Sequence, residues 1–181
     1  MKKGESRMVK AMTILLALAL ALSVKAETTM GFFDNTKTKS ENIDMFICQS
    51  LNDKVGVFGY ATVSEGWSEA YAGPTFSPNA NFQVGIGLGV ESDQDSARWG
   101  GFAWAGHGKA SVTYLFEDGG SGAWHKLKAG YQVSSRANVQ VLEKTSCGLG
   151  LGLEYKLEAN TSLRVESFGN KGTTAGLMFK L

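Results

Sequence analysis

From about residue 43 onward, apolar side chains recur at every second position rather than every third or fourth. Successive side chains of a strand point to opposite faces, so this period predicts β-structure. The clearest run is Phe82–Glu91, FQVGIGLGVE, with Phe82, Val84, Ile86, Leu88 and Val90 on one face. Gln83, Gly85, Gly87, Gly89 and Glu91 occupy the other. Residues 147–157 repeat the design: Cys147, Leu149, Leu151, Leu153, Tyr155 and Leu157 oppose Gly148, Gly150, Gly152, Glu154 and Lys156. Weaker alternation marks further strands over 55–64, 67–76, 98–105, 110–116, 123–133, 139–142 and 163–166, and a last one over 173–181. Turn-forming clusters separate them: Asn52-Asp53, 92–96, 118–122 and 169–172. Pro74 and Pro78 read as a strand end or loop, since proline cannot serve a central ladder. Residues 27–42 lack a clear period and read as a polar N-terminal segment or a weak first strand.

The large apolar side chains stand opposite glycine, and that inverts the usual reading. In a soluble sandwich the apolar face fills the core, which would leave bare glycine backbone outside. In a barrel embedded in lipid the apolar face meets acyl chains, and glycine faces a narrow lumen where space is short. The fold expected is therefore all-β, a small closed antiparallel transmembrane β-barrel over 43–181. Single-chain barrels of this kind close with an even number of strands. The pattern thus favours 10–12 strands, with eight still open.

The first 26 residues follow a different rule. Lys2, Lys3, Arg7 and Lys10 precede an apolar run from Ala11 to Leu22, and Val24-Lys25-Ala26 supplies small residues before Glu27. Positive head, short apolar core and small-residue site are the layout of a secretory signal cleaved near Ala26. The run is too short to cross a bilayer as a helix, which needs about 20 residues. This leader holds five of the 18 Lys+Arg and one of the 17 Asp+Glu, leaving 13 against 16 in the remainder. A chain of that balance has no basic stripe and excludes nucleic acid as a partner. Of the 23 glycines, all but Gly4 lie after the leader, where strong aromatic content argues against disorder. Cys48 and Cys147 are compatible with a single bridge or with two separate thiols.

The final strand carries a further signature. Thr174, Gly176, Phe179 and Leu181 occupy the places polar, glycine, apolar and apolar in a spaced pattern at the chain end. Together with the leader and the strand pattern, this resembles bacterial outer-membrane β-barrel proteins, whose last strand carries an assembly signal. Leu181 departs from the aromatic residue usual at the last place. The resemblance implies outer-membrane lipid and the barrel-assembly machinery as partners, and small solutes as cargo.

The residues expected to face the lumen with charge or polarity are Gln83, Glu91, Lys126, Lys128, Glu154, Lys156, Arg164, Glu166 and Lys180. They would either select solutes or pair across the interior and close it; mixed signs and a small circumference favour closure. Trp67, Trp99, Trp104, Trp124, Tyr60, Tyr71 and Tyr114 suggest an aromatic girdle at the membrane interfaces. Gly85, Gly87 and Gly89 continue as strand, which rejects a dinucleotide loop. His107 and His125 lack neighbours at metal-ligand or nucleophile spacing, so no metal, cofactor or catalytic residue is assigned. The function expected is a non-enzymatic narrow pore or an occluded structural or binding barrel. The alternatives are a secreted soluble β-sandwich with an adhesive or ligand-binding role and, behind it, a lipid-modifying membrane enzyme.

Overall fold

The computed structural model describes residues 27–35, 40–64, 67–92 and 97–180, with side chains from Ile43 onward apart from Asn170. The leader and its cleavage site, Leu181 and part of the 92–96 turn lie outside the described residues. Twelve antiparallel strands run in chain order: β1 (Glu27–Asn35), β2 (Ser40–Ser50), β3 (Val55–Ser64), β4 (Trp67–Asn79), β5 (Phe82–Glu91) and β6 (Arg98–His107), then β7 (Ala110–Asp118), β8 (Trp124–Gln132), β9 (Ala137–Lys144), β10 (Gly148–Lys156), β11 (Thr161–Ser167) and β12 (Thr173–Lys180). Each pairs with its sequence neighbours, and β1 pairs with β12 from Thr29↔Lys180 to Asn35↔Thr174, closing the barrel. Closure leaves no strand edge, so the ladder satisfies backbone groups that a hydrocarbon layer cannot hydrate. Residues 27–35, which alternation alone leaves between a polar segment and a strand, form β1.

The apolar face points outward. Ile86, Leu88, Leu149 and Leu151 are 55%, 73%, 76% and 67% exposed, values far too high for a core. The glycine face points inward and is crowded. A Cβ added to Gly85 would lie 2.5 Å from the Phe102 ring, and one on Gly87 would come within 3.0 Å of Phe58. On Gly89 it would run into Tyr71. Across the barrel, a Cβ at Gly150 would sit 2.6 Å from the ring of buried Phe168, contributed by the β11–β12 connection. Glycine here makes room for aromatic rings. Phe58, Tyr71 and Phe102 form a buried cluster, with Phe46, Tyr60, Trp104 and Leu115 packed against it. Phe102 meets Phe46 and Phe58 edge-on, at 5.7 and 5.3 Å between centroids, the geometry aromatic pairs prefer.

One element departs from the sequence reading. β4 does not stop at Pro74 but continues to Asn79, with Pro74 in register with Val57 of β3. The ladder accommodates both prolines by irregularity on the β5 side. Pairing there skips Gly73 and Pro74, passing from Ala72↔Leu88 to Thr75↔Gly85 in unchanged register, and shifts register once, between Phe76 and Asn79, around Pro78. Such a break removes the need for an N–H that proline lacks. Cys48 and Cys147 form no disulfide; Cys48 lies near the β2–β3 turn, Cys147 in the β9–β10 turn at the other barrel end.

Two substitutions separate the faces. Leu88→Lys should destabilise the folded barrel in vesicles by about 2–4 kcal/mol, as expected for a cation on the lipid face near mid-span, measured by reversible denaturant titration. Gly85→Ala should lower stability by overpacking against Phe102, and Phe102→Leu in the same chain should recover part of that loss.

Candidate functional site

The interior divides by charge. At the end holding the β5–β6 and β7–β8 connections, Arg98 is 1% exposed and surrounded by carboxylates from three other strands. It bonds to Glu91 of β5 and lies 3.9 Å from Glu69 of β4 and 3.6 Å from Glu117 of β7. Its Nε–H donates to Tyr71 Oη at 2.6 Å, and that hydroxyl donates to Glu69 at 3.1 Å. Trp67 Nε1–H donates to the second oxygen of Glu91 at 2.8 Å. The same cluster reaches upward. Arg98 donates to Ser121 Oγ at 2.6 Å, and Ser121 N–H donates to Glu91 at 3.2 Å, tying the β7–β8 loop to the inner wall. That loop can follow the wall because Gly119, Gly120 and Gly122 all have positive φ, which costs glycine little.

The opposite wall is basic. Lys126 and Lys128 of β8, Lys144 of β9 and Arg164 of β11 all face a cavity of about 720 Å³. Lys126 grips both oxygens of Glu166, at 2.7 and 2.6 Å, and Arg164 lies 3.3 Å from Glu154. Lys144 sits over the Trp124 ring, 5.8 Å from its centroid. Lys128 has no carboxylate within ion-pair distance among the described residues. Tyr60, Phe102, Trp104, Leu115 and Met178 supply apolar lining between the charged walls. Charges therefore pair across the interior, but they do not close it.

Trp104 ends the cavity. Its indole lies over Gly106, where an added Cβ would come within 2.6 Å of Cζ2. Beyond it is a second space of about 260 Å³, bordered by Trp104 together with Asn81, His107, Ser111, Gln132 and Asn138.

Of the residues expected in the lumen, Gln83, Lys126, Lys128 and Arg164 line the main cavity. Glu91, Glu154 and Glu166 partner its cations. Lys156 and Lys180 are exposed, at strand ends away from the cavity. The sequence reading passed over Asp44, Glu69, Arg98, Glu117 and Lys144. Glu69 and Glu91 are register partners across β4 and β5, a relation no single-strand pattern reveals. Arg98 was hidden because β6 carries aromatics on both faces.

The expected aromatic girdle is largely corrected. Trp67, Trp104, Trp124 and Tyr60 line the cavity, and Tyr71 is buried beside Arg98. Trp99 and Tyr114 face outward, 42% and 40% exposed. Alternation settles the matter: each inward ring shares parity with a glycine or a lumen charge on its own strand.

His125 lies on the outer face, Nε2 2.8 Å from Glu143 and Nδ1 3.0 Å from Thr145 Oγ1. That hydroxyl also accepts the His125 backbone N–H at 2.8 Å, so it closes the end of the β8–β9 ladder.

Arg98→Ala should cost about 3–5 kcal/mol, because it strands carboxylates in a site built around their counter-ion. Thermal melting of the refolded barrel checks this. Adding Glu91→Gln should return part of the loss.

No family model matches the sequence, and no curated protein matches it. Solved structures do match. The chain is similar to the KdgM porin at a TM-score of 0.58 and 11% identity, over 87% of this chain and 99% of that one. It is similar to the KdgM porin in complex with disordered oligogalacturonate at 0.54 and 14%, over 87% and 99%. It resembles the NanC porin at 0.51 and 9%, over 85% and 100%. At these identities the likeness is one of architecture: the chain has the all-β, antiparallel barrel fold of these porins.

Proposed function

We propose that the chain is exported by its leader, inserts in a bacterial outer membrane, and forms a narrow, non-enzymatic solute channel. The observation that carries this reading is a charged cavity of about 720 Å³ inside a closed barrel whose outer face is apolar. A soluble sandwich would need those exposed leucines dry. An occluded barrel would need the space filled. The porin neighbours support the channel reading, and the KdgM complex with oligogalacturonate supports passage of small charged solutes. In this reading Thr174, Gly176 and Phe179 of β12, followed by Leu181, present the assembly signal. The end where β1 begins and β12 finishes faces the periplasm, from which an exported chain arrives. The tethered β7–β8 loop and the vestibule then open outward, and Trp104 is the constriction.

Separated walls act on a permeating ion. Three glutamates share Arg98 on one side, while on the other four cations face Glu154, Glu166 and Asp44, so a field runs across the lumen.

In a planar bilayer, the refolded protein should give discrete single-channel steps. Trp104→Ala should raise their conductance severalfold, and Lys144→Glu should move the reversal potential in a salt gradient toward cations. An absence of any step in the parent and in Trp104→Ala alike would favour an occluded barrel.

A further inference from the structure

We infer that the cavity is a binding site for a small aromatic carboxylate, the solute class the channel would admit; the inference rests on the channel reading above. The argument starts from Lys128. Three of the four cations on the basic wall have a close companion in Glu166, Glu154 or the Trp124 ring. Lys128 lines the cavity without a carboxylate in ion-pair range among the described residues; Lys126 and Arg164 repel it, while Glu154 and Glu166, each already held by one of those cations, attract it from farther off. An ammonium held in a partly apolar space without a counter-ion is costly, and an entering anion would relieve that cost.

What stands beside it along the wall defines the rest of the ligand. Trp104 pairs with Thr113, and Thr113 with Lys128, so the indole and the ammonium come from one cross-strand row, two strands apart. At about 4.8 Å per strand spacing, their backbones are about 10 Å apart. A one-ring carboxylate fits that interval, its ring against Trp104 and Phe102 and its charge at Lys128. A sugar acid fits less well. Thr113 in the same row and Gln83 beside Trp104 can serve one or two hydroxyls, but the others on a sugar ring would be set against Phe102, Leu115 and the face of Trp104. A short aliphatic acid would leave the aromatic wall unused. The volume, about 720 Å³, lies within the usual range for small-molecule sites.

The test uses the refolded barrel in phosphatidylcholine vesicles, with benzoate, acetate and glucuronate titrated against intrinsic tryptophan fluorescence. Trp67, Trp104 and Trp124 all line the cavity, so a ligand there should change the signal. Benzoate should saturate with at least tenfold higher affinity than acetate or glucuronate. Lys128→Gln should weaken benzoate at least tenfold, and Lys128→Arg should keep most of the binding, which guards against a variant that merely misfolds. Equal affinity for the three anions, or unchanged benzoate binding in Lys128→Gln, overturns the inference. Single-channel recording in parallel separates the two readings. Ion steps without benzoate binding leave the channel and remove this ligand. Benzoate binding without ion steps keeps the site and removes the channel.

Discussion

Twelve strands enclose an interior too wide for small side chains and too narrow for large ones on every strand, and the whole molecule answers to that width. Outside, the hydrocarbon layer demands apolar side chains and paired backbone. Inside, the space must be shared unequally. β5 supplies glycines at Gly85, Gly87 and Gly89, and its neighbours supply the rings that occupy the space those glycines leave: Phe102 from β6, Phe58 from β3 and Tyr71 from β4. β10 repeats the arrangement on the far side, where Gly150 accommodates Phe168. The aromatic sector and the open sector are two outcomes of one steric rule.

The polar groups follow from that division. Where rings fill the interior, charge is admitted only as a compact, mutually satisfied set, and Arg98 with its carboxylates meets that condition. Where the interior is open, Lys126, Lys144 and Arg164 each border the cavity with a companion at hand, and Lys128 borders it without a carboxylate in ion-pair range among the described residues. The charge asymmetry across the lumen is thus a consequence of packing.

Much of this was legible in the chain. The opposition of Ile86 and Leu88 to Gly87, and of Leu149 and Leu151 to Gly150, is a purely local pattern, and it determines both the fold class and the direction each face takes. Strand parity also placed Gln83, Lys126, Lys128 and Arg164 on the inner face. Less was legible where a property belongs to more than one strand. The carboxylates about Arg98 come from β4, β5 and β7, and only register brings them together. Tyr71 and Trp104 were read as interface residues because a ring near a strand end looks the same from either side of the wall. Pro74 misled because a proline can stand in a ladder where its partner makes no bond to its nitrogen, and the gap in β5 pairing at Gly73 and Pro74 is invisible in β4 alone.

Trp104 joins the two interior spaces, and it sits on a strand rather than on a loop. A strand in a closed barrel is among the most rigid supports a protein offers, so the motion available at this point is rotation of one indole over Gly106. Rotamer flips of exposed side chains take picoseconds to nanoseconds; this indole packs against the Phe58, Tyr71 and Phe102 cluster, so its turns are slower, yet no loop or lid has to move. In the channel proposed above, such a ring would act as friction rather than as a gate, felt as a steeper dependence of flux on temperature than free electrolyte shows.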